Sequence, residues 1–345
     1  MEFKIGLKQE FIDFINKITP EDNIAILTHT DLDGIASGIF LEAILKFKNL
    51  KTKILKFGDY KNDVLLKLDP LLKKQNISKL FILDMAIDSL AFEDFENLRK
   101  KIDVFLIDHH PANPLLKDYR NIIKAETFNC AAQVVNYLGK HFINFEDEEW
   151  LLIPTMISEF SFKNKENMEF IQSFYLKINK ENIFQSEPGK IYEIIAYGII
   201  YFNDSMKKVY ELVSKREINI LEKYHKIIKQ EIDKEITSLW RNAEFNEDKK
   251  IYFYFLKPKH RVKAIIATQI SLEKPDCSFV LVTQEGTDKK YLGASARNQS
   301  MNRDMNELMK KAIQGLENAN GGGHIPAAGA RFMKKDLEKF KENLF

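Results

Sequence analysis

The chain has 345 residues, 45% of them hydrophobic and 30% charged, a balance that suits folded domains and excludes an intrinsically disordered polymer. At this length two domains are expected rather than one core. Its 52 basic and 50 acidic side chains leave a formal charge of +2, too little for a general polyanion binder, although local basic patches stay open.

Two cysteines, Cys130 and Cys277, stand far apart without metal-ligand spacing. A disulfide framework is therefore not expected, and a reducing cytoplasm is. The opening "MEFKIGLKQEFIDFINKI" has acidic residues where a secretory signal needs a continuous apolar core. The longest apolar stretch, "IIAYGIIYF", falls well short of the roughly 20 residues of a membrane span, so no membrane partner is expected.

In chain order, Phe11, Ile12, Ile15 and Ile18 recur at helical spacing and predict an amphipathic first helix. Short apolar runs follow at "IAILT" (24–28), "KILKF" (53–57), "LFILD" (80–84) and "VFLID" (104–108), with helix-length segments between most of them. Continuous apolar strands alternating with helices predict a parallel sheet covered on both faces, because each crossover must return across the sheet. From Cys130 to Asn203 the reading is helical, with "AAQVVNYL" and "YEIIAYGIIYF" clearest. Met206 to Leu239 has no Pro or Gly and keeps apolar residues three or four apart, which predicts one long connector helix. Strands return at "IYFYFL" (251–256), "CSFVLVT" (277–283) and "KYLGASAR" (290–297), with a helix near 304–317. The expected architecture is α/β: an N-terminal parallel-sheet domain over 1–205, a helical connector over 206–245, and a smaller C-terminal α/β domain over 246–345.

Three of the four expected N-terminal strands end in acid or imidazole. The first runs into "THTDLDGIASG", giving His29, Asp31 and Asp33 with Gly34 behind them; the third ends at Asp84; the fourth at Asp108, His109 and His110. Side chains at the carboxyl ends of neighbouring parallel strands converge on one crevice. Carboxylates gathered that closely repel one another and hold protons unless a cation neutralises them. Mixed carboxylate and imidazole donors suit manganese better than calcium. Six or seven such groups suggest two ions about 3.5–4 Å apart, the arrangement that serves phosphoryl displacement. Asp84, on the central tip, is the candidate bridge.

Near the C-terminus "NANGGGHIPAAGARF" (318–332) reads as a glycine loop. Gly322 and Gly323 lie in its triple-glycine run, whose bare backbone can approach a ligand closely. Exposed amides there can form an anion nest, with His324 and Arg297 adding donors. Ala327, Ala328 and Gly329 permit tight packing behind it.

With these motifs assembled, the sequence resembles a DHH-family phosphoesterase with a C-terminal DHH-associated domain. The likeness rests on "HTDLDGIAS", "LDMAI", "IDHHPAN" and "GGGHIPAAGA", in that order along essentially the whole chain. The H-x-D-x-D-G spacing is similar to that of RecJ-type nucleases and NrnB-type oligoribonucleases. The resemblance implies two manganese ions, with magnesium as an alternative: His29 and Asp31 on one, Asp33 and His109 on the other, and Asp84 shared. It implies that His110 faces the scissile phosphate and that Asp108 orients its histidine neighbours; the reading of the glycine run makes Arg297, Gly322, Gly323 and His324 the candidates for contact with substrate phosphate. The family's fourth-motif aspartate has no direct counterpart; Glu159 in "TMISEFSF" is the nearest carboxylate, with Asp204 in reserve.

The implied activity is manganese-dependent hydrolysis of short oligonucleotides or single-stranded nucleic acid to mononucleotides by metal-activated water. Hydrolysis of cyclic dinucleotides is the enzymatic alternative, and a non-catalytic scaffold of the same type the alternative of another class. The modest net charge favours short substrates. The basic stretch "KPKHRVK" (257–263) reads either as a solvated loop or as a grip on a strand. A monomer or homodimer is expected.

Overall fold

The computed structural model describes residues 1–345 apart from 60, 117–118, 146 and 286–289. The chain divides into two compact units, Met1–Glu222 and Lys223–Phe345.

The first unit is built on a six-stranded sheet of β1 (Phe3–Ile5), β2 (Ile24–His29), β3 (Thr52–Gly58), β4 (Lys79–Leu83), β5 (Asp103–Asp108) and β6 (Ile122–Ala125). Its order is β1-β6-β5-β4-β2-β3, parallel throughout except for the antiparallel β1–β6 pair at one edge. All four apolar runs named from sequence are strands of this sheet, and β1 and β6 are additions. Alternation of side chains divides the core into two layers. On one face Ala25, Leu27, Leu80, Ile82 and Leu106 pack against Leu65, Leu68 and Leu72 of the helix Val64–Lys74 and Phe95 and Leu98 of the helix Phe92–Arg99. On the other face Phe81 and Phe105 meet Phe14 edge-on, with ring centroids 5.3 and 5.1 Å away. Phe14 comes from the amphipathic helix Lys8–Lys17 expected from its spacing. Burying each such ring contributes about 2–3 kcal/mol.

Helices dominate after β6, as predicted: Ala131–Gly139, Glu149–Ser158, Lys165–Phe174 and Glu187–Tyr201. The expected single connector helix is not one helix. Met206–Ser214 ends where Arg216 takes a left-handed φ of 58° and Glu217 N–H donates to Leu212 O at 2.8 Å, a Schellman-type stop. A second helix runs over Glu222–Asn242. The first piece belongs to the N-terminal unit, where Val209 and Val213 are buried and the Tyr210 hydroxyl donates to Glu42 at 2.6 Å. The break between units thus falls inside the stretch 206–245, later than residue 205.

The second unit has β7 (Glu244–Asn246), β8 (Ile251–Phe255), β9 (Ser278–Gln284), β10 (Tyr291–Arg297), β11 (Asn320–His324) and β12 (Ala327–Met333) in the order β11-β12-β10-β9-β8-β7. Only β8–β9 is parallel. Helices Met305–Ala312 and Leu337–Leu344 cover one face through Met305, Met309, Phe340 and Leu344. The glycine run expected as a loop is instead strand β11, paired antiparallel with β12 from Asn320↔Arg331 to His324↔Ala327. Pairing supplies what intrinsic propensity withholds from glycine. The partner's small residues are its complement: a Cβ at Gly323, whose φ is +152°, would lie 2.6 Å from Ala327 O.

Candidate metal centre

The H-x-D-x-D-G motif bends sharply from β2 into the helix Leu32–Phe47. Asp31 caps that helix, its Oδ1 accepting from Gly34 N–H at 3.0 Å. Gly34 is required by space, since a Cβ there would lie 2.3 Å from His29 O. The bend brings His29 Nδ1 to 2.8 Å from Asp31 Oδ2 and 3.6 Å from Asp84 Oδ2.

Asp84 follows β4 in a left-handed conformation, φ 55°, which aspartate tolerates better than most residues. Its N–H still donates to Ile107 O at 2.9 Å, so the turn stays fastened to β5. Asp84 Oδ1 lies 3.4 Å from His109 Nε2, which in turn lies 3.7 Å from Asp33 Oδ2. Asp33 is fully buried, and its two oxygens accept the N–H groups of Ala131 and Ala132, each at 2.7 Å. These are the first two amides of the helix Ala131–Gly139, otherwise without intrahelical partners.

Two sets of donor atoms draw together: His29, Asp31 and Asp84, and Asp84, His109 and His110, the atoms of each lying within 4.8 Å of one another. Among the described residues, Asp84 alone belongs to both. The fit to divalent cations is supported by electrostatics. Burial, reinforced by the Asp84 charge, pushes the Asp33 carboxyl well above the usual range, and burial with the charge of Asp31 raises Asp84. Burial would lower the imidazole of His29, but Asp31 and Asp84 outweigh it and carry it up to about 11. Burial likewise opposes protonation of His109, and its contacts with Asp84 and Asp33 bring it up to about 10. Buried charges crowded in this way are what a divalent cation would neutralise. The buried His109 Nδ1 has no hydrogen-bond partner among the described residues.

Glu159 caps the helix Glu149–Ser158 and is influenced by Asp31 and Asp33; burial first, then these charges, push it up to about 8. It therefore lies near the charges of the cluster, although it falls outside both sets of donor atoms. Asp204 lies exposed in the turn after Glu187–Tyr201, bonded to Asn203, and is not brought to the site. His110 Nδ1 donates to Asp108 Oδ1 at 2.7 Å. Burial opposes ionisation of Asp108, but His110 and Lys124 overcome it and hold the carboxyl well below its ordinary range.

Sequence reasoning missed Lys124. It sits in β6 with no exposed surface, 2.5 Å from Asp108 Oδ2 and 2.7 Å from Asp88 Oδ1. A lysine inside the apolar run "NIIKA" was the available signal, because lysine is almost never fully buried unless paired.

In the second unit Arg297 ends β10, largely buried, with Nη1 donating to Ala296 O at 2.9 Å. Lys263, at the start of the helix Lys263–Glu273, donates to Gly293 O at 2.7 Å. Burial, with Arg297 nearby, pushes its ammonium down to about 8. Gly322, Gly323 and His324 lie on β11, where Gly323 N–H donates to Asn306 Oδ1 at 3.1 Å and His324 is exposed. The loop of "KPKHRVK" is ordered by Glu231, which accepts from Lys259 N–H, His260 N–H and the His260 ring.

Comparison with known proteins was made on this basis. No curated protein matches the chain. Among solved structures it is similar to an exonuclease RecJ bound to manganese, with a TM-score of 0.73 at 14% identity over 100% of this chain and 94% of that one. It is also similar to RecJ in complex with Mn2+ from Thermus thermophilus (TM-score 0.71, 15% identity, 100% of this chain and 54% of that chain). CDC45 from Entamoeba histolytica matches with a TM-score of 0.60 at 12% identity over 98% and 97% of the two chains. At these identities the likeness is one of fold. Residues 23–159 match the DHH family, N-terminal domain, and residues 247–344 match the DHHA1 domain, so the chain carries a DHH domain followed by a DHHA1 domain.

Proposed function

We propose that the protein is a divalent-metal-dependent phosphodiesterase that releases mononucleotides from short oligonucleotides or single-stranded nucleic acid, in the cytoplasm, as a monomer or homodimer. The observation that bears most weight is the position of Asp84, shared by both donor sets. His29 and Asp31 would hold one ion and His109, with Asp33 and Glu159 nearby, the other. Manganese suits this donor set, and magnesium is the alternative. Such a pair supplies an activated water and neutralises charge on both the attacking and leaving oxygens.

The chain's own contribution is positional and acid–base. The Asp33 carboxylate is held by two helix amides and need not reorganise during turnover, while the backbone of Asp84 is fastened to β5, which fixes where its side chain starts. Nδ1 of His110 is committed to Asp108, which leaves Nε2 as the nitrogen that can donate to a phosphate or leaving oxygen. Arg297 and His324 would take substrate phosphate in the second unit, and Gly322 and Gly323, lacking side chains, would let it approach closely, although the Gly323 N–H is already given to Asn306. Intact His29, Asp31, Asp84 and His109 favour this reading over a non-catalytic scaffold.

The test is a product time course on labelled short RNA, short DNA and a cyclic dinucleotide with manganese, alongside calorimetric titration of the metal. Mononucleotides accumulating from a linear substrate support the reading. Turnover of the cyclic dinucleotide alone would move the assignment to the alternative, and absence of micromolar metal binding would favour the scaffold.

A further inference from the structure

Position 124 is the one place in β6 where an apolar side chain gives way to a charge: Ile122, Ile123 and Ala125 are all buried around it. A buried ion pair is weak evidence for stability, because the desolvation of its charges commonly offsets their attraction. Apolar packing would have served the sheet as well. The charge must therefore be read by what it touches.

Lys124 pairs in register with Asp108 of β5 and reaches its Oδ2, while Asp108 Oδ1 accepts from His110. The carboxylate thus has one oxygen fixed from the sheet and the other turned to the ring. Lys124 also reaches Asp88 Oδ1, in the helical turn Ile87–Leu90 that follows β4. The second oxygen of Asp88 accepts Asn113 N–H at 2.9 Å, and Asn113 Nδ2 donates back to Asp88 O at 2.8 Å. The segment from Asp108 to Asn113, with His109 and His110 inside it, is therefore fastened at both ends to one ammonium group. Asp88, Asp108 and Lys124 all have no exposed surface, so water does not compete for these bonds.

We propose that Lys124 and Asp88 are positioning residues for His110: they fix the rotation of the Asp108 carboxylate and the span that follows it, and so fix the tautomer and aim of the His110 ring. This rests on the reading of His110 as the group that meets phosphate. Neither residue touches substrate or metal in this scheme. Both act through Asp108 and the loop that ends at Asn113.

The experiment is a double-mutant cycle on the manganese-loaded full chain, with Lys124→Met and His110→Ala singly and together, assayed on a short single-stranded oligonucleotide. Lys124→Met should lower kcat by about 10–100-fold, the range for residues that orient a functional group, and leave KM unchanged. In the His110→Ala background it should lower kcat no further. Losses that multiply would overturn the proposal. Asp88→Asn, which keeps the side-chain shape, takes the place of Lys124→Met in the cycle if the latter does not fold. A second readout needs no turnover: in metal-free protein labelled with 15N-histidine, the Nδ1–H signal of His110 should weaken or shift in Lys124→Met and Asp88→Asn. Unchanged His110 ring signals in both variants would overturn the proposal. Failure of the reading beneath it would look different, since His110→Ala would then retain full turnover while the ring signals still responded to Lys124.

Discussion

Replacing Gly34 by alanine is the sharpest test of how the H-x-D-x-D-G motif works. A Cβ at this position would meet three backbone atoms of His29: O at 2.3 Å, C at 2.7 Å and N at 2.8 Å. Ordinary contact begins near 3.4 Å, so the two backbone segments must separate by about 1 Å. None of these atoms is the end of a flexible side chain, and His29 and Asp31 are the groups that would be displaced. Overpacking of this kind costs about 1–3 kcal/mol, set against the gain of about 1 kcal/mol that alanine brings to a helix interior. A misplacement of about 1 Å in catalytic geometry costs roughly 10²-fold in rate. Gly34→Ala should therefore lose about 100-fold in kcat and weaken manganese binding, with a modest fall in the urea midpoint. Gly38→Ala, in the same helix, has its three nearest contacts on the Tyr210 side chain, the first at 3.1 Å, and should keep turnover. Wild-type kcat and metal affinity in Gly34→Ala would refute the steric account of the motif.

Three further outcomes are expected. Asp84→Ala should abolish turnover and weaken metal binding by calorimetry at both sites, because it removes the group shared by both donor sets; retained activity would contradict the bridging assignment. His324→Ala should raise KM about tenfold without changing metal affinity, the value of one charge-assisted hydrogen bond, and an unchanged KM would remove His324 from the phosphate site. Lys263 is held down to about 8 in the folded protein against 10.5 when exposed, so between these values the unfolded chain binds more protons. Wild-type stability should accordingly rise with pH from about 8 to about 10 relative to Lys263→Met, measured by urea unfolding of the metal-free protein; parallel profiles would refute the burial of that ammonium.

The parts of this fold that were legible in the sequence are those whose local pattern and tertiary role agree. β2, β4 and β5 are continuous apolar runs because helices cover both faces, and their acidic tips stand out against that background. β11 was hidden because a glycine strand has no propensity of its own, and only the small residues of β12 make it pair. The break at Arg216 was hidden because a left-handed stop normally announces itself by glycine, and here a charged residue takes that conformation. At the site, the candidate ligands were legible as types at strand ends. The Lys124 network was not, since it depends on β6 lying beside β5, and β6 itself is only four residues long.

The bonds from Ala131 and Ala132 to Asp33 tie the first acidic motif to a helix that begins 98 residues later. During synthesis, a nascent chain that has exposed only its early motifs holds Asp33 without those amides and cannot present it in the native pose. The native pose of Asp33 therefore arrives late, once the segment beyond β6 has emerged and docked.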